Sequence, residues 1–188
     1  SPLRTPLDLS FPCFCGFAFL RQISKISHVP VIFLPASEQE DDPVKSLELG
    51  AYAYVTKPFS PGELLARMDA AIRRSEGPMA PEVQQPFVLG SLSVNYADRA
   101  VTVSGSIVGL TATEYSLLCA LTKNAGRVLS YQQILQQVWG REYSDEIDLV
   151  RAFVRNLRRK LHDDARDPRF IFTERQVGYR IPKPTNLN

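Results

Sequence analysis

Residues 75 to 86, SEGPMAPEVQQP, hold three prolines and a glycine with no apolar period, a composition that supports neither a continuous helix nor a paired strand. The chain is therefore expected to fold as two units, residues 1–74 and 87–188, joined by a linker at 75–86. Each unit is long enough to bury a small core. Charge divides at the same place. Up to residue 86 there are 8 Lys+Arg against 10 Asp+Glu, a net of −2; from residue 87 there are 14 against 10, a net of +4. The second unit is the candidate for an anionic partner.

Hydrophobic residues at 44% and charged residues at 22% exclude disordered and fibrous classes. Cys13, Cys15 and Cys119 are too few and too unevenly placed for a disulfide framework. The C-x-C pair has no second pair or histidine beside it, so no metal site is expected. Asp8 and Pro12 interrupt the apolar stretch LDLSFPCFCG (7–16), and no small-residue cleavage site follows, which argues against a signal peptide. No run approaches the roughly 18 apolar residues of a membrane span. A cytoplasmic location is expected, and the opening Ser suits a fragment.

Before the linker, VPVIFL (29–34) and AYAYV (51–55) are bounded apolar runs of the kind buried strands show. Between them Asp42 and Pro43 supply an N-cap and a first helical residue, and Gly50 ends the helix. Ser60, Pro61 and Glu63 open another helix, whose apolar face is Leu64, Leu65, Met68, Ala71 and Ile72. Strand, helix, strand, helix predicts a parallel sheet with crossover helices.

After the linker, FVLG, SLSVNY, AVTVS and IVGL alternate with turn residues as short strands. Thr111 with Glu114 and Ser130 with Gln133 are capping boxes that open two helices. A third helix is predicted from Ser144 or Asp145 to Leu161. Its residues Ile147, Val150, Val154, Leu157 and Leu161 recur at steps of three and four, a single buried stripe. Asp148, Arg151, Ala152, Arg155 and Arg159 fall on the opposite side, with Arg158 at the margin. FIFTERQVGYRI (170–181) then supplies strand, turn and strand. A basic helix followed by a hairpin suits the major groove, which admits one α-helix, and the adjacent DNA backbone. The residues alone leave other readings open. The basic face could be merely solvated in a protein-interaction module, or Asp8 or the C-x-C pair could serve an enzyme.

The motif YVTKPF (54–59), with LELGA (47–51) before it, resembles the end of a response-regulator receiver domain. The resemblance implies a flavodoxin-like α/β fold in which Asp8 is the phosphoacceptor for a histidine kinase, followed by Pro12 and Gly16. It makes Lys57 the phosphate-pairing lysine and Tyr54 the aromatic switch. The family holds Mg²⁺ on an acidic pair in its first strand; the seven residues before Asp8, SPLRTPL, contain no acid. Pro35 stands at the switch hydroxyl's position, with Ser37 the nearest substitute, and Cys15 at that of an acid. Asp8 is accordingly expected to be an inert strand-end carboxylate, with no bound cofactor.

LTATEYSLLCAL, NAGRVLSYQQILQQVWG, VRNLRRKL and ERQVGYR, in that order, resemble the OmpR/PhoB-type effector domain across residues 87–182. The resemblance implies an α+β winged helix-turn-helix fold and a transcriptional regulator acting on double-stranded DNA. Arg151, Arg155 and Arg158 would face DNA, Arg175 would be the wing arginine, and residues 140–144 would meet RNA polymerase; Arg159 and Lys160 suit phosphate contact or solvation. A homodimer through residues 42–74 is implied too, although Tyr52 and Ala53 replace carboxylates of that face while Lys45 and Arg67 remain. Gln176 stands where the wing usually has glycine. The expectation is a DNA-binding regulator with an incomplete receiver, possessing no enzymatic activity, whose binding is constitutive if phosphorylation is lost.

Overall fold

The structure, a computed structural model, describes residues 16–26, 30–35, 42–76, 85–140, 143 and 146–184. Asp8, Pro12, Cys13, Cys15 and Ser37 lie outside these residues. The upstream half runs α1 (Gly16–Ile26), β1 (Ile32–Phe33), α2 (Pro43–Glu48), β2 (Ala53–Tyr54) and α3 (Pro61–Glu76). The two strands are parallel, Ile32 opposite Ala53 and Phe33 opposite Tyr54. They are shorter than the apolar runs that predict them, but bonds from Tyr52 N to Val31 O (2.6 Å) and Val55 N to Phe33 O (3.0 Å) carry the pairing outward.

The helix starts follow the local chemistry. The Asp42 carboxylate accepts from Lys45 N at 2.9 Å, and the Ser60 hydroxyl accepts from Glu63 N at 3.1 Å. Helix α3 continues to Glu76, two residues into the expected linker. Ala70 and Ala71 are buried, whereas Leu65, placed on the apolar face by its type, is exposed. Phe17, Phe33 and Tyr54 stack in sequence with ring centroids 5.3 and 6.3 Å apart, which fills the space between α1 and the strands.

The downstream half begins with an antiparallel sheet of β3 (Phe87–Leu89), β4 (Leu92–Asn95), β5 (Ala100–Val103) and β6 (Ser106–Ile107), ordered as in the chain. Three helices follow: α4 (Ala112–Lys123), α5 (Tyr131–Val138) and α6 (Ile147–Leu161). Both capping boxes form, at Thr111 with Glu114 and at Ser130 with Gln133. Trp139 and Phe153 meet edge to face at 5.1 Å in the helical core. The closing hairpin, β8 (Phe172–Glu174) and β9 (Gly178–Arg180), pairs through β9 with β7 (Leu129–Ser130), immediately before α5. Gly178 permits that pairing, because a Cβ there would strike the Leu129 carbonyl. The architecture is a parallel α/β piece followed by a winged helix-turn-helix unit.

One buried cluster runs from Phe17 and Leu47 through Tyr143 to the helices and Ile181, so the two halves share packing. Helix α2 lies against α6.

Candidate nucleic-acid interface

Helix α6 is held on one side by Leu149, Val150, Phe153, Val154, Leu157 and Leu161, all buried. Ile147, expected at the head of the stripe, is 36% exposed, since it occupies the first turn. Leu149 and Phe153 widen the stripe instead, as expected where a helix packs on a globular core. Ser144 and Asp145 lie outside the described residues, and the helix proper begins at Ile147 after Glu146.

The exposed side carries Arg151, Arg155 and Arg159. Arg151 Nη1 donates to Asp148 Oδ1 at 2.9 Å, and its guanidinium sits 5.5 Å from the Tyr131 ring centre. Hydrogen bonding to Tyr131, then to Asp148, favours the charged form and raises the Arg151 pKa above the usual arginine value. Arg155 is 76% exposed in its side chain while Nη2 reaches Glu48 Oε1, in α2, at 3.3 Å. Arg175 is exposed at the tip of the hairpin. Next to it Gln176 has φ +63°, the left-handed conformation that glycine adopts without strain.

Arg158 departs from expectation. It is 9% exposed, and Nη2 donates to Ile171 O (2.6 Å) and Thr173 Oγ1 (2.9 Å), with Nε 3.8 Å from Asp163 Oδ2. A guanidinium with those internal bonds ties α6 to the hairpin and does not project toward a groove. Lys160 is likewise engaged, its Nζ 2.6 Å from Glu114 Oε2 and 3.0 Å from Gly109 O, which corrects the expectation of a phosphate contact or solvation. No motif or periodicity in the sequence marks Asp163. This buried carboxylate accepts from the backbone N–H of Arg169 (2.7 Å), Phe170 (3.1 Å) and Ile171 (3.0 Å), fixing the loop between α6 and the hairpin. An open concavity of about 400 Å³ lies between these elements, lined by Arg151, Arg155, Arg159, Asp163, Asp164 and Tyr179.

The upstream site residues are not gathered in the same way. Lys57 is exposed, and Tyr54 is buried with its ring turned onto Phe33. Among the described residues no cluster of His, Cys, Asp or Glu could hold a metal ion, and Asp8 lies outside those residues. Cys119 is partly buried, and desolvation pushes its thiol pKa up, the opposite of an activated nucleophile. Among the described residues no helix is long and apolar enough to cross a membrane.

Residues 42–74, expected to present a face to a second copy, are used within the chain. Arg67 Nη1 donates to the Tyr143 hydroxyl at 2.7 Å, Nη2 lies 3.1 Å from Glu63 Oε1, and the guanidinium covers the Tyr143 ring at 5.1 Å. The same hydroxyl accepts from Tyr54 N at 3.4 Å. Thr113 Oγ1, in α4, donates to Ala51 O at 3.5 Å. Nothing in the periodicity of either half marks Tyr143, Glu48 or Thr113 as contact residues.

Comparison with known proteins covers both halves. Residues 5–69 match the family model of the response regulator receiver domain, and residues 105–181 match that of the C-terminal domain of transcriptional regulatory proteins. The KDP operon transcriptional regulatory protein KdpE of Escherichia coli K12 is 39% identical over 175 residues, covering 93% of this chain and 77% of that protein. KdpE of Mycobacterium tuberculosis H37Rv is 39% identical over 176 residues with the same coverage. Among solved structures, that of a RitR mutant aligns with a TM-score of 0.69 at 26% identity, over 89% of this chain and 73% of that one.

Proposed function

The chain belongs to the OmpR/PhoB family of two-component response regulators with a DNA-binding effector domain, and from that membership we propose that α6 lies in the major groove with the β8–β9 hairpin on the adjacent backbone. The family is one of transcriptional regulators and not of enzymes. The observation that carries the proposal is the row of exposed guanidiniums, Arg151, Arg155 and Arg159, on a helix whose other side is locked into the core. Arg155 is assigned base readout, most readily the O6 and N7 of guanine, and Arg151, Arg159 and Arg175 phosphate contact. Arg158 holds the hairpin in register with the helix. The effector unit is assigned to residues 87–188 and the receiver unit to residues 1–74.

A histidine kinase belongs among the expected partners of a receiver. We propose nonetheless that DNA binding here does not depend on phosphoryl transfer, because Pro35 offers no hydroxyl at the switch position and Lys57 stands in solvent. Incubation with acetyl phosphate and Mg²⁺ tests this. A phosphoryl mass adduct that vanishes in Asp8→Asn, together with tighter duplex binding by the phosphorylated chain, overturns it. Homodimerisation through residues 42–74, contact of residues 140–144 with RNA polymerase and a cytoplasmic location complete the proposal.

Selection of bound duplexes from a random pool is the direct experiment, since it reports both binding and half-site spacing. On the selected site, Arg155→Ala is expected to cost about 1–3 kcal/mol and to relax preference at one base pair. Equal affinity of the variant for every duplex would remove Arg155 from the interface.

A further inference from the structure

Resting on the DNA-binding reading above, we infer that Gln176, at the tip of the hairpin, reads a base edge in the minor groove beside the α6 site and selects a G·C pair there. The ground is a conformational cost with no return inside the protein. Residues Glu174 to Val177 form a β-turn closed by Val177 N donating to Glu174 O at 3.0 Å, and Gln176 takes its third place with φ +63°. A positive φ at that place selects glycine or asparagine, because a larger side chain crowds its own backbone. Gln176 is exposed, and among the described residues its side-chain amide has no hydrogen-bond partner. The turn is also clamped on both sides. Val177 O accepts from Tyr131 N at 3.1 Å, Gly178 lies too close to the Leu129 carbonyl for a Cβ, and Arg180 Nε donates to Glu174 Oε1 at 2.6 Å across the two strands. Strain held by a rigid surround on an exposed surface points to a side chain that acts outside the protein.

The same bonds place the tip. Tyr131, bonded to Val177, carries the Arg151 guanidinium 5.5 Å from its ring centre, and Arg151 is assigned a phosphate. The turn therefore lies beside the backbone that borders the α6 groove. Across that backbone is a minor groove about 6 Å wide, which admits a side chain but no helix. A neutral amide does not neutralise phosphate, and that part falls to Arg175 beside it. What glutamine offers is a donor and an acceptor side by side in one plane. In the minor groove A·T presents acceptors alone, whereas G·C adds the N2 amino donor of guanine. Only G·C satisfies both ends of the amide; at A·T its oxygen would lose water and gain no donor.

The test uses the full chain, wild type and Gln176→Gly, each put through selection from the random pool. A G·C preference just outside the α6 half-site is expected with the wild type and not with the variant. In the wild-type site the guanine of that pair is then replaced by inosine, which lacks the 2-amino group and keeps O6 and N7, so the major-groove edge is untouched. Wild-type affinity is expected to fall about five- to ten-fold, the lower end of the effect of one mismatched pair. Gln176→Gly is expected to bind the guanine and inosine duplexes alike. Selection of the same bases by both chains, or equal wild-type affinity for the two duplexes, overturns the inference and leaves the α6 reading standing. A wild-type chain that retains no duplex overturns that reading and the inference with it.

Discussion

Gln176 is the residue at which local geometry and side chain disagree most plainly. Its φ of +63° costs an L-residue about 1–2 kcal/mol, of which glycine's greater freedom in the unfolded chain would return about 0.5–1 kcal/mol. Gln176→Gly is therefore expected to stabilise the protein by about 0.5–1 kcal/mol in urea unfolding, and an unchanged midpoint would show that the turn relaxes around glutamine. The disagreement was visible in the sequence, because the resemblance puts glycine at this position. Asp163 was not. An acid after the helix end looks like a solvated residue until the chain turns back and delivers three backbone N–H groups to it. Asp163→Asn leaves one oxygen acceptor for those donors and leaves Arg158 without its nearest carboxylate, an expected loss of about 2–4 kcal/mol in the same assay.

At the scale of elements, helix starts were the most legible features, since a capping box is complete within four residues. Thr111 and Glu114 form theirs as the sequence predicts, Glu114 N donating to Thr111 Oγ1 (3.3 Å) and Thr111 N to Glu114 Oε2 (2.7 Å). The structure adds that the same Glu114 oxygen lies 2.6 Å from Lys160 Nζ, joining the start of α4 to the end of α6. The two members of the box are thus unequal. Thr111→Ala is expected to cost about 1 kcal/mol as a cap loss. Glu114→Ala is expected to cost about 2–3 kcal/mol, because it also leaves a partly buried lysine without its carboxylate, with the Gly109 carbonyl still accepting from it. Thermal unfolding of the two variants distinguishes them, and equal losses would mean that the Lys160 contact contributes nothing. Strand lengths were less legible: the runs at 29–34 and 51–55 shrink to two-residue strands, because apolar character signals burial and not ladder register.

Across the whole molecule, charge was readable and the arrangement of the halves was not. The split of −2 before residue 87 and +4 after it places an acidic unit beside a basic one. With Arg151, Arg159 and Arg175 on phosphates, the slope of log K against log salt is expected to be about −3. A slope near zero would show that few of these arginines reach phosphate. By itself the sequence determined the order of elements, the helix caps, the position of the basic helix and the family, since each is encoded over a few neighbouring residues or one helical period. Only the tertiary structure decided that Arg158 and Lys160 turn inward, that Glu48 meets Arg155 across 107 residues of chain, and that Tyr143 bonds Arg67 across 76. The physical reason is that periodicity gives a side chain's angle around its own helix, whereas its partner depends on what the rest of the chain packs opposite that angle.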